Sequence, residues 1–373
     1  MSTTQETIYM MALTQIPHLS LMNAHVLIES MGSATSVIEN RKNIQDCIPD
    51  ATDALAETLK NIDEPLRRAE TEFEIATQKG IQCIAFNDTD YPVLLRQCPD
   101  SPLVLYYFGN AQLNRQRMVA IVGTRNCTQY GKDIIKNFIN DLSKNYPDTL
   151  IVSGLAYGVD VNSHRQALDC GMDTVGVLAH GLDQMYPSRH RQIAARMCSQ
   201  GGILTEYTIG SRLMKGNFIR RNRIVAGMCS STIVIESAVK GGALITARLA
   251  SDYNREVFAF PGSIHSQYSE GCNKLISNGE AHLIQSTSDF MRIMGWQEKV
   301  AKPQAVELEL FPELSNEEKL VVECLKNVDS MQINKISIDT NLPYSQVSSI
   351  LFELEVKGIV AVLGGARYRL VRR

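Results

Sequence analysis

The chain has 373 residues, enough for one large core with smaller satellites. Its hydrophobic fraction of 44% and charged fraction of 21% are ordinary for a globular protein, which excludes a disordered or fibrous chain. A net charge of −3 excludes indiscriminate polyanion binding over the whole surface, so any nucleic-acid site must be a local basic patch.

Residues 1–60 read as short helices. Ile8, Met11, Leu13 and Ile16 recur near helical spacing until Pro17 breaks the run, and Leu21, Ala24, Leu27 and Ile28 form the next face, ended near Gly32. Two strands are predicted at 81–86 and 103–108, around a loop marked by Pro92, Pro99 and Pro102. From 118 onward the pattern changes. Short apolar runs at 118–122, 150–153, 174–178, 202–206, 231–235, 256–260 and 281–284 alternate with helix-length segments. Strands buried on both faces and joined by crossover helices imply a mainly parallel sheet in an α/β layer fold.

After Trp296 the segment to 313 reads as a linker. Ser315 and Glu318 then have the spacing of a capping box at a helix start. Two further helices are expected, near 333–340 and over 345–357, and Gly364-Gly365 joins two strands of a terminal hairpin. Three helices and a two-stranded wing describe a winged-helix module.

Three strand–glycine–helix junctions stand out: Gly123-Thr124-Arg125, Ser153-Gly154 through Gly158, and Gly241-Gly242. Such turns open onto helix N-termini, whose free N–H groups and dipole attract anions, and an arginine grips phosphate with two parallel hydrogen bonds. Neither a Gly-x-Gly-x-x-Gly nor a Walker-type loop occurs, so a nucleotide cofactor held in the usual way is not expected. Between these junctions lies the run from Gly210 to Arg223, with Arg212, Lys215, Arg220, Arg221 and Arg223, no acid, and Phe218 inside the cluster. A charge run is usually a solvated helix face. Here the adjoining Ile224-Val225-Ala226 is apolar enough to be packed, and a ring among cations suits base stacking. Asp160 and His164 read as structural: an acid in a helix's first turn favours the dipole, and no nucleophile neighbours the histidine.

The nine cysteines are scattered, without Cys-x-x-Cys pairs or zinc spacing, so no metal or cofactor is expected and reduced thiols are. The N-terminus lacks a signal-peptide pattern and no apolar stretch approaches the roughly 20 residues of a membrane helix. A cytoplasmic protein without membrane insertion is the expectation.

Six ordered segments closely resemble the bacterial DNA-processing protein A family (DprA, also called Smf): 119–125, 153–160, 181–187, 221–227, 242–247 and 257–262. The resemblance implies an extended Rossmann-like domain at 75–295, flanked by a small SAM- or HhH-like helical module at 1–70 and, beyond a 296–313 linker, a winged helix at 314–373. It implies no catalysis. It also implies non-specific binding of single-stranded DNA, a homodimer, and loading of the recombinase RecA in natural transformation. By motif match, the DNA-binding residues would be Gly123, Thr124, Arg125, Ser153, Gly154, Lys215, Phe218, Arg221, Asn222, Arg223, Gly241 and Gly242. Two positions depart from the family pattern: Ile219 follows Phe218 where proline is usual, and Gly241 replaces a serine.

Two other readings stay open. A nucleotide-hydrolysing enzyme of a related fold would need a carboxylate at a glycine turn, for which Glu206 and Glu236 are the candidates. A duplex-DNA regulator would act through the winged helix, but its 345–357 helix has one cation and two glutamates, a poor match to a major groove.

Overall fold

The computed structural model describes residues 4–48, 52–296, 314–326 and 328–371. Beyond Trp296, the linker expected at 296–313 lies outside the described residues. The chain divides into two units, Met1–Glu298 and Lys299–Arg373.

The first unit is built on nine strands: β1 (Gln82–Ala85), β2 (Val104–Gly109), β3 (Met118–Gly123), β4 (Leu150–Gly154), β5 (Thr174–Val177), β6 (Gly201–Thr205), β7 (Ser231–Ile235), β8 (Glu256–Ala259) and β9 (His282–Leu283). Their order across the sheet is β1-β2-β6-β5-β4-β3-β7-β8-β9. From β6 to β9 every pairing is parallel, and β1 and β2 extend one edge antiparallel. This is the mainly parallel sheet expected from the apolar runs, in the Rossmann-like arrangement that the family resemblance implies.

The strand period of two explains how both faces are covered. On β3, Val119 and Ile121 pack with Ile135, Phe138, Ile139 and Leu142 of the helix Gln129–Asn145. Ala120 and Val122 face the other way, toward Ile224–Met228 of the helix Lys215–Met228 and the alanines of the helix Gly242–Asp252. Strand order reverses beside β3, because β4 lies on one side of it and β7 on the other. In open α/β sheets ligands bind at such a point, outside the carboxyl ends of the strands.

Ahead of the sheet, helices beginning at Thr4 and ending with Asp63–Gln78 form a bundle. Met10, Met11, Leu13, Leu27 and Leu59 are buried together with Ala85, Val104 and Tyr106, so the bundle shares its core with β1 and β2.

The second unit has helices Asn316–Leu325, Ile333–Thr340 and Tyr344–Val356, and strands Val360–Leu363 and Arg367–Leu370 joined by the Gly364-Gly365 turn. A short strand, Met331–Gln332, pairs with the second wing strand to give a three-stranded sheet. Among the described residues, no helix is long and apolar enough to cross a membrane.

Candidate nucleic-acid interface

The glycine turn after β3 is stitched from both sides. The Thr124 amide donates to the Glu236 carbonyl at 2.7 Å, and the Thr124 carbonyl accepts from the Val159 amide at 3.1 Å. Gly123 is needed for packing: a β-carbon there would sit 1.9 Å from the Ile235 carbonyl oxygen. The helix that follows has its anion site occupied by the protein itself. Glu236, in the left-handed region with φ of 53°, accepts from the Thr128 amide at 2.8 Å and from its hydroxyl at 2.5 Å.

The second turn is also internally satisfied. Ser153 is fully buried and its hydroxyl donates to the Ile121 carbonyl at 2.6 Å. Gly154 leaves room for charge, because the Arg221 guanidinium and the Asp160 carboxylate both approach the place its β-carbon would take. Burial pushes the Asp160 carboxyl up, and the Arg221 guanidinium opposes this. His164 donates from Nε2 to the Gly154 carbonyl at 2.6 Å and sits 2.7 Å from the Thr174 hydroxyl. Burial holds its pKa down to about 4, so the ring is a neutral strut.

The third turn differs. The helix Gly242–Asp252 has no acidic residue in its first turn and no side-chain cap, and a β-carbon on Gly242 would meet only open space. Of its first three amides, that of Leu244 donates to the Gly241 carbonyl at 3.1 Å, which leaves those of Gly242 and Ala243 for an anion.

The helix Lys215–Met228 sorts the basic run by its 3.6-residue period. Lys215, Phe218 and Asn222 follow one another at i, i+3 and i+7 and share a stripe. Lys215 is exposed, Phe218 half-buried, and Asn222 reaches the Gly242 carbonyl at 3.5 Å. The exposed Arg125 guanidinium lies 5.7 Å from the centre of the Phe218 ring, and Tyr186 packs edge-on to the same ring at 5.6 Å. Arg221 instead turns into the sheet, where it donates to the Val177 carbonyl at the end of β5. Arg223 turns furthest away. Its guanidinium pairs with Glu206 and donates to the Asp100 carbonyl at 2.5 Å.

The structure thus brings Arg125, Lys215, Phe218, Asn222, Gly241 and Gly242 toward one surface. Gly123, Ser153, Gly154 and Arg221 lie beneath it, Thr124 is held in the turn's backbone bonds, and Arg223 is committed elsewhere. Tyr186 joins the cluster although sequence reasoning did not single it out. Its signal was present in the 181–187 motif, but nothing local ties that tyrosine to a ring 32 residues later.

Fold and site together define a Rossmann-like α/β protein whose strand-end surface carries cations on an aromatic platform in place of a dinucleotide loop. The family model described as DNA recombination-mediator protein A matches residues 82–295, and the DprA winged helix domain model matches 306–366. The chain belongs to the DNA-processing protein A family. It is 34% identical over 318 residues to a putative DNA processing protein DprA of Mycobacterium tuberculosis, covering 82% of this chain and 81% of that one. The structure of DNA processing protein A from Streptococcus pneumoniae aligns with a TM-score of 0.64 at 31% identity, over 78% of this chain and 98% of the other. That of the Helicobacter pylori protein, described for its single-stranded DNA binding mode, aligns with a TM-score of 0.52 at 30% identity, over 57% and 95%.

Proposed function

We propose that this protein binds single-stranded DNA without sequence preference at the Arg125–Phe218–Lys215 surface and hands the strand to the recombinase RecA. The work takes place in the cytoplasm, as part of DNA recombination during natural transformation, and the binding form is a homodimer. The observation that carries the reading is the exposed Arg125 guanidinium 5.7 Å from the centre of the half-buried Phe218 ring, with Tyr186 packed edge-on to it. A cation beside a ring meets both halves of a nucleotide: phosphate on the guanidinium, base on the ring face. The open N-terminus of the helix Gly242–Asp252 adds a second phosphate contact. The described single-strand binding of the Helicobacter pylori relative supports the same ligand.

A non-catalytic role fits the carboxylates. Glu236 is taken up by Thr128 and Glu206 by Arg223, so neither candidate acid stands free at the strand-end surface. The experiment is a salt titration of single-strand binding, with a slope of about −0.7 per neutralised phosphate. Arg125→Ala should lower both affinity and slope; an unchanged slope would remove this surface from the binding path. Transfer to RecA is read from the rate at which RecA filaments nucleate on a bound strand, with and without the protein.

A further inference from the structure

The strand ends carry a second aromatic contact that the Phe218 surface does not use. Strands β3 and β4 are parallel neighbours, so the turns that follow them lie side by side. Their backbones touch. Besides the bond from the Val159 amide to the Thr124 carbonyl, a β-carbon on Gly158 would sit 2.1 Å from that same oxygen and 2.6 Å from the Arg125 carbonyl. Tyr157, one residue earlier, is therefore carried next to the Arg125 backbone, and it is 43% exposed.

The ring has a fixed support. His190 is buried, and its Nδ1 donates to the Leu155 carbonyl of the same turn at 2.9 Å. The Tyr157 ring packs edge-on to His190, with 4.9 Å between centres. Four residues before His190, the same loop supplies Tyr186, which packs on Phe218. One loop thus braces both rings. Arg189 and Arg191 are exposed on either side of His190 in the chain, and no acid occurs from 184 to 205. An exposed ring among cations, contiguous with Arg125, suits a nucleotide strand better than an apolar protein partner.

The two rings belong to different layers. Phe218 stands on a helix packed against the Ala120 and Val122 face of the sheet. The helix Val159–Asp169, which Tyr157 leads into, packs with Val119 and Ile121 on the other face. We propose that Tyr157 is a second base-stacking platform, so that the bound strand crosses the carboxyl edge of the sheet from Phe218, past Arg125, to Tyr157. The proposal rests on the single-strand reading above and extends it from one stacked nucleotide to a path with a direction.

The test uses the full chain and labelled oligo(dT). Tyr157→Ala should weaken binding about fivefold or more, the loss of one stacked base, and Tyr157→Phe less than about twofold. The salt slope should stay the same in both, because a ring neutralises no phosphate. Tyr157→Trp adds a reporter to a chain whose only tryptophan is Trp296. A base stacked on the new ring should quench its emission at saturating oligo(dT), well beyond any change in the unmodified chain, and this readout decides even where Tyr157→Ala folds poorly. Emission that oligo(dT) leaves unchanged overturns the second platform. So does a folded Tyr157→Ala chain that binds as tightly as the unmodified one while Arg125→Ala binds more weakly. Failure of the unmodified chain to bind oligo(dT) overturns the strand-binding reading itself and the platform with it.

Discussion

Arg221 closes on Gly154 so tightly that a β-carbon on the glycine would lie 2.1 Å from the guanidinium Nη1 and 2.4 Å from the Asp160 carboxylate. The second glycine turn therefore serves a charge that is buried under the strand ends. Gly154→Ala must displace one of the two charged groups from its place, at a cost of about 1–3 kcal/mol typical of overpacking. Gly123→Ala should cost more, because its nearest obstacle is the Ile235 backbone oxygen, which cannot swing away. Gly242→Ala meets nothing and should be neutral or stabilising by up to about 1 kcal/mol through helix propensity. Denaturant midpoints of the three variants check this order.

Arg125 and Arg223 make opposite predictions. Arg223→Ala leaves the Glu206 carboxylate in its buried pocket without the guanidinium, and breaking a buried pair in this way costs about 3–5 kcal/mol. It should leave the salt slope of single-strand binding unchanged under conditions where the variant is folded. Arg125→Ala should leave the denaturation curve in place, since Arg125 is exposed, and lower the slope by about 0.7. A swap of these two phenotypes would mean that Arg223, not Arg125, lies on the strand's path.

How much of this was legible in the chain follows from which interactions are local. All nine sheet strands stand where the apolar runs placed them; the central strands β4, β5, β6 and β7 are buried at every position, and a strand buried on both faces reads as a continuous apolar run. The wing and its capping box were legible from turn residues and a three-residue spacing. Within the basic run, the sequence supplied the cations but not their directions. Arg223 ends on the Asp100 carbonyl, 123 positions away, and Arg221 on Val177, 44 away, and no local pattern encodes such partners. The anion-binding reading of the first glycine turn had the same blind spot, since Glu236, which fills the adjoining helix start, arrives 108 residues later.

His164 gives the fold a specific response to acid. In the unfolded chain the ring takes up a proton near its ordinary pKa of 6.5, whereas the buried ring resists protonation down to about 4. Between these values the unfolded state binds more protons, so stability present above pH 6.5 is lost as pH falls toward 4, on the order of 3 kcal/mol in all. His164→Gln should be less stable at neutral pH and should lose less on acidification through this window. Denaturant midpoints measured across it for both proteins give the comparison; parallel curves would show that other groups govern the acid limb.

In the second unit, the start of the helix Asn316–Leu325 is a closed system. The Ser315 hydroxyl accepts from the Glu318 amide at 3.1 Å, and the Glu318 carboxylate accepts from the Ser315 amide at 2.8 Å and from Lys357 at 2.5 Å. One buried carboxylate thus ties the first helix of the unit to the end of the last, where Lys357 caps Tyr344–Val356. Ser315→Ala removes only the cap acceptor and should cost about 1 kcal/mol. Glu318→Gln loses charge from both bonds and leaves Lys357 without its carboxylate, so it should cost more than Ser315→Ala. Hydrogen exchange in the full chain separates the effects: Ser315→Ala should speed exchange in the first turn of Asn316–Leu325 alone. Glu318→Gln should speed it there and at the end of Tyr344–Val356 together, because the ion pair couples the two helix ends while the serine touches only one.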